Sequence, residues 1–216
     1  GVTAMYAGDP DEGEKVLQPL REFDEPLIDM SGKMPFSVVQ TMFDPFFPKH
    51  QQLYFFKSVN LDDFNAELIH ELYQQASDPP SPKCLIALWR YGGAMQRVDV
   101  SETAYPHRNS RVLLSVDSIW DDPQESEKVI AWSRNLWKTM QSFTSGGGVY
   151  VNFSGLSDER DDIARAAYGP NYARLVEIKN KYDPTNLFRT NVNIKPTAEP
   201  EVKSSEGLKT KPARVA

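Results

Sequence analysis

Apolar positions recur with a helical period in three stretches. Residues 61–75 set Phe64, Leu68, Leu72 and Tyr73 near one face, with Asn60 as the cap and Asp62 and Asp63 beside the positive end of the dipole. Residues 123–141 begin with Asp122 as N-cap, Pro123 at the first helical position and Glu125 behind it, and carry the face Val129, Ile130, Ser133, Leu136, Trp137 and Met140. Residues 171–182 place Tyr172, Leu175, Val176 and Ile178 together and stop at Asp183-Pro184, while a shorter helix over 158–168 is broken by Gly169-Pro170. Between them lie runs without a helical face. Residues 52–59 are aromatic-rich, 83–89 are apolar around Cys84, 111–120 are rich in Val, Leu and Ser, and 148–153 follow a glycine triplet. Each reads as a strand, as does the opening Gly1-Val-Thr-Ala-Met-Tyr6. Strands joined by 20 to 30 residues, often through a helix, predict an α+β fold: an antiparallel sheet backed by helices.

Composition narrows this picture. Of 216 residues, 40% are hydrophobic and 11% aromatic, enough to bury a core, and the net charge of −6 forms no basic stripe. Nucleic acid and anionic membranes are therefore not expected partners. The lone Cys84 closes no internal disulfide, and neither a long apolar span nor a leader is visible, so a cytoplasmic chain is the favoured expectation. The chain starts without Met, as a piece of something longer would. After Pro196 the residues turn to Lys, Glu, Ser, Thr and Pro, and 197–216 read as a flexible tail.

Common chemistries are absent from the pattern. His50, His70 and His107 form no metal-ligand spacing, and no nucleophile elbow occurs, so neither a metal site nor a serine hydrolase is expected. The triplet Gly146-Gly147-Gly148 is followed by no Gly-Lys-Ser/Thr, which leaves it as backbone that bends tightly or approaches another group closely. Asn152-Phe153-Ser154 is a formal glycosylation sequon, set aside because a buried strand is predicted there. Tyr150 and Asn152, two apart on that strand, would share a face, either towards a polar heteroaromatic ligand or as satisfied polar groups at a sheet edge.

Several separated pieces together carry a resemblance. Gly147-Gly-Val-Tyr-Val-Asn-Phe153, Ala166-Ala-Tyr-Gly-Pro-Asn-Tyr-Ala-Arg-Leu175, Lys181-Tyr-Asp-Pro-Thr-Asn-Leu-Phe188 and Asn191-Val-Asn-Ile194 strongly resemble the C-terminal signature of the berberine bridge enzyme-like flavoprotein oxidases. Upstream, Asp9-Pro-Asp-Glu-Gly-Glu14, Gly92-Gly-Ala94 and Thr103-Ala-Tyr-Pro-His-Arg108 are similar to the substrate domain of bacterial members. The resemblance implies a substrate domain over 1–144 and, over 145–196, a segment that returns to an FAD-binding half. That half, missing here or supplied in trans, would be the main partner. His107 and Cys84 lie in no covalent flavin-attachment motif.

For function, the resemblance implies oxidation of a small organic substrate by hydride transfer to flavin N5, with reoxidation by oxygen. FAD would be the cofactor, with Tyr150, Asn152, Asn191 and Asn193 matching positions near it. Several members place a catalytic tyrosine where this chain has Phe153, and a phenyl ring accepts no proton. Either another residue serves, or the substrate needs no such base, or the chain lacks the activity. The replacement candidates are Asp117, Tyr54 and Tyr105, with a solvated strand position as the alternative for Asp117. Two other functions remain open: a truncated, non-catalytic binding or structural module, and one half of a split oxidase. A surface meant to meet the FAD half would be exposed, and self-association is expected of it.

Overall fold

A computed structural model describes residues 1–144, 146, 148–153, 160–190 and 192–197. They fall into two compact units, Gly1–His50 and the remainder from Gln51.

In the first unit no strand forms at the start of the chain, contrary to the sequence reading. Its main element is helix α1, Pro10–Arg21. Asp9 caps it, accepting from the amides of Asp11 at 3.0 Å and Glu12 at 3.1 Å, and Pro10 holds the first helical position. A short helix α2 spans Phe36–Thr41.

The second unit is built on three antiparallel strands, β1 (Leu53–Leu61), β2 (Leu85–Arg90) and β3 (Val112–Trp120), in the order β1-β3-β2. The register sets Phe56 against Asp117 and Ser58 against Ser115 on one side of β3, and Leu85 against Asp117 on the other. Helix α3 (Ala66–Ser77) starts later than the sequence suggested, because residues 60 and 61 complete β1 and Asn65 supplies the cap, accepting from the Leu68 amide at 2.8 Å. Helix α4 (Ser126–Met140) buries Val129, Ser133, Leu136 and Met140, as its periodicity requires.

Helices α3 and α4 cover one face of the sheet. Leu68, Leu72, Leu136 and Met140 pack there with Val59 and Leu61 of β1 and Val112, Leu114 and Val116 of β3. Burial of such side chains contributes roughly 1.5–3 kcal/mol each. Two polar contacts fix the helix on the sheet: the Ser133 and Ser118 hydroxyls bond each other, and the Trp137 indole donates to the Ser58 carbonyl at 2.8 Å. The other face carries the alternate residues, among them Tyr54, Phe56, Ser58 and Asn60 on β1, Ser115 and Asp117 on β3, and Leu85 and Trp89 on β2.

Helices α5 (Arg160–Tyr168) and α6 (Tyr172–Tyr182) follow. Residues 158 and 159, the start expected for α5, lie outside the described residues, as does all but Thr197 of the tail expected over 197–216. Both helices dock on the loop before β3. Asn171 donates to the carbonyls of Val100 (2.7 Å) and Thr103 (3.0 Å), and Arg174 to that of Ser101 (3.0 Å). Among the described residues no helix is long and apolar enough to cross a membrane.

Candidate functional site

The face of the sheet away from α3 and α4 is covered by the segment 148–153. The sequence suggested a strand here, but the chain forms a 3-10 turn over Val151–Phe153. Ser58 and Asn60 of β1 explain the difference, since their side chains and the Asn60 main chain take backbone groups that a regular ladder would need. The Tyr150 amide donates to Ser58 Oγ at 2.9 Å, and both the Asn60 amide (2.8 Å) and its Nδ2 (3.0 Å) donate to the Gly148 carbonyl. The glycine at 148 is required by a close approach. A β-carbon there would stand 1.8 Å from Cε1 of His107.

His107 is itself held. A ring nitrogen lies 3.1 Å from the Ala167 carbonyl, which can only accept, so Nε2 carries the proton, and the ring stands edge-on to Tyr105. Burial holds the imidazole below its ordinary pKa, against the opposing pull of the Ala167 and Ala166 carbonyls.

Above the sheet this produces a wall of rings. Phe153 meets Phe56 of β1 at 6.0 Å and Trp89 of β2 at 6.5 Å, so it spans the middle strand, and Tyr150 packs against both Phe153 (5.3 Å) and Tyr105 (6.4 Å). Beside this wall, in the row of β3 opposite Phe56, is Asp117. It is only 8% exposed, because β3 is the central strand and is buried along its whole length. A solvated strand position is thus ruled out. Its Oδ1 has no hydrogen-bond partner among the described residues. Burial pushes its carboxyl up from the ordinary value, while the Ser115 hydroxyl pulls it back.

The other expected bases are placed differently. Tyr54 lies six residues from Asn60 along β1, about 20 Å at 3.3 Å per residue, and its hydroxyl donates to Gln52 Oε1 at 3.0 Å. Tyr105 sits at the opposite end, with its hydroxyl 3.4 Å from Asn60 Oδ1. Burial, reinforced by Tyr91, raises the Tyr105 phenol far above its ordinary pKa and keeps it protonated. The three do not converge on one point.

Of the residues expected near a cofactor, Tyr150 and Asn152 are joined, Asn152 Nδ2 donating to the Tyr150 hydroxyl at 2.8 Å. They meet across a turn, not along one face of a strand. Asn152 is exposed, so the buried-strand ground for dismissing its sequon does not hold. Asn193 lies in an irregular segment after α6, and its Oδ1 is buried with no partner among the described residues. Asn191 is outside them.

Sequence reasoning missed Ser58, Asn60, Ser115 and Trp89. One signal was available for Ser115: it is two residues from Asp117 and must share its face.

The helix-backed antiparallel sheet is similar in fold to the substrate domain of the berberine bridge enzyme-like oxidases. The fold is shared with a chitooligosaccharide oxidase, at TM-score 0.70 and 22% identity over 89% of this chain and 45% of that one. A berberine bridge enzyme superposes at TM-score 0.73 with 19% identity, covering 88% and 44%. The family "Berberine and berberine like" matches residues 149–195. A monolignol oxidoreductase of Arabidopsis thaliana is 34% identical over 60% of this chain and 26% of its own length. An FAD-linked oxidoreductase of Dictyostelium discoideum is 25% identical over 90% of this chain and 42% of its own. The chain therefore spans less than half the length of these curated relatives. Over residues 149–195 it matches the berberine and berberine-like family, and over the rest it is similar to these relatives.

Proposed function

We propose that this chain supplies the substrate-facing sheet and the C-terminal segment of an FAD-dependent oxidoreductase acting on a small organic substrate, with Asp117 as the proton acceptor. The observation that carries the reading is the Asp117 carboxyl: buried beside an aromatic wall, raised in pKa by that burial, and with one oxygen that has no partner among the described residues. A base is most effective when its pKa lies close to the working pH, and desolvation moves a carboxylate in that direction. Phe153, which cannot take a proton, instead helps to dry the face on which Asp117 works.

The residues present fit a flavin by the chemistry of their donor set. The Tyr150 hydroxyl accepts from Asn152 and keeps its own proton to donate, and Asn193 Oδ1 is a buried acceptor still to be satisfied. Tyr150, Asn152 and Asn193 would hold the ring. FAD, when bound, is the two-electron acceptor that oxygen regenerates. The protein's own part is to stack the substrate against Phe56, Trp89 and Phe153, to exclude water, and to hold the abstracted proton on Asp117. Trp89, Leu187 and Phe188, at 51%, 73% and 77% exposure, supply apolar surface for a partner such as an FAD-binding half, in the same polypeptide or in trans.

The test is peroxide release by the FAD-containing assembly on a panel of alcohols, sugars and phenols. Asp117→Asn is expected to lower kcat by about 10²–10⁴-fold, the usual worth of a general base. Retention of a third or more of kcat would refute the role.

A further inference from the structure

We propose that the Ser115 hydroxyl, oriented by the Trp89 indole, is the positioning group for the Asp117 carboxyl, and that Phe153 holds this arrangement from the C-terminal segment. The proposal rests on the Asp117 reading for its catalytic meaning, but its structural content stands on separate geometry.

Ser115 is wholly buried and lies two residues before Asp117 on the same face of β3. Its oxygen receives the Trp89 Nε1–H at 3.1 Å from the neighbouring strand β2. One oxygen lone pair is thereby engaged, and the hydroxyl proton is free to point along the strand towards the carboxyl. Trp89 is a half-exposed residue with a buried polar edge. Its ring is bounded by Phe153, which also touches Phe56, the residue directly across from Asp117 in the register with β1. Segment 148–153 is in turn fixed to β1 through Ser58 and Asn60. A continuous set of contacts thus runs from the C-terminal segment through Trp89 and Ser115 to Asp117.

Other groups facing Asp117 could not easily perform this task. From β1 it meets Phe56, with Tyr54 and Ser58 to either side, and from β2 Leu85 and Ala87. Tyr54 is the titratable group among them. Lys83, two residues before the Leu85 that pairs with Asp117, is engaged at 2.7 Å by Asp121, which lies four residues beyond Asp117, about 13 Å at 3.3 Å per residue. A hydroxyl donor therefore decides how much of the burial cost falls on the ionised carboxylate, which agrees with the downward pull of Ser115 on Asp117.

The experiment is a ¹³C NMR titration of carboxyl-labelled aspartates in the full 216-residue chain, with Asp117→Asn to assign the resonance. Neither flavin nor substrate is needed. Ser115→Ala is expected to raise the Asp117 pKa by about one unit, a tenfold change in its proton affinity. Trp89→Phe keeps a ring but removes the N–H, and should raise it by less. Ser115→Thr should restore the wild-type value, and Phe153→Ala should lower it by admitting water. An unchanged Asp117 pKa in Ser115→Ala, in a protein with native near-ultraviolet dichroism, overturns the proposal. Should that variant fail to fold, an unchanged value in Trp89→Phe overturns it. If the shifts occur while Asp117→Asn stays active in the loaded assembly, the positioning holds and the role as base falls. If Asp117→Asn is inactive and no shift occurs, the reverse is true.

Discussion

Replacing Gly148 by Ala is the sharpest probe of how the C-terminal segment meets the sheet. The demand at Gly148 is for space beside the His107 ring. The added methyl would lie 1.8, 2.3 and 2.5 Å from three atoms of the His107 ring, where carbon contacts settle near 3.5–4.0 Å. One side must yield. If the imidazole swings away, it gives up the Ala167 carbonyl and its edge-on contact with Tyr105. If the backbone retreats, the Gly148 carbonyl leaves the two donors of Asn60. Overpacking costs about 1–3 kcal/mol and each lost hydrogen bond about 0.5–1.5 kcal/mol, so Gly148→Ala is expected to destabilise by roughly 3 kcal/mol. At about 2–4 °C per kcal/mol for a chain of this size, Tm falls by roughly 6–12 °C. Urea unfolding followed by dichroism measures the first quantity and a thermal scan the second. In a His107→Ala background the methyl enters vacated space, and the same substitution should cost less than about 1 kcal/mol, a coupling of roughly 2 kcal/mol. A loss below 0.5 kcal/mol in the otherwise wild-type chain, or an equal loss in both backgrounds, would refute the reasoning.

The pH dependence of stability should show two opposed effects. The raised carboxyl of Asp117 makes the folded state bind its proton more tightly than the unfolded state does. Its contribution is therefore favourable below the ordinary 3.8 and is lost as pH rises through the folded value, a decline that Asp117→Asn should remove in urea titrations over that range. The lowered His107 pKa acts in the other direction: stability is full above the ordinary 6.5 and lost as pH falls through the folded value, and His107→Gln, which keeps a donor for the Ala167 carbonyl, should flatten that limb. The isolated chain should show no flavin absorbance after incubation with FAD and removal of the excess, since it carries only part of the expected ring contacts; retained yellow protein would contradict this. Exposed Leu85, Trp89, Leu187 and Phe188 should make it bind an apolar dye and self-associate with rising concentration, and monomeric elution throughout would count against that.

Much of the helix-backed face was legible in the chain. The period of Val129, Ser133, Leu136 and Met140 marks the buried stripe of α4, and the three observed strands lie where apolar runs without a helical face occur. Helix α1 escaped because its apolar residues are few and exposed; its signal was Asp9-Pro10, a cap without a hydrophobic stripe. The alternation Val149-Tyr-Val-Asn-Phe153 suggests a strand, and only tertiary contacts show that Ser58 and Asn60 claim its backbone. Asp117 could be named from its residue type and strand position, but its burial could not, because that depends on β3 being central and on a roof formed by residues far away in sequence. Ser115 and Trp89 were hidden for the same reason: strand pairing unites them, not spacing.

The clamp between Asn60 and Gly148 joins residues 88 apart in the chain. Closing so long a loop is entropically slow, whereas β1, β3 and β2 with α3 and α4 can assemble from segments that are all complete by Met140. The sheet and its two helices can therefore assemble before the roof closes over them, and during that interval the face that carries Asp117 lacks its cover. The environment that makes it unusual is completed by residues 148–153, which follow all three strands in sequence.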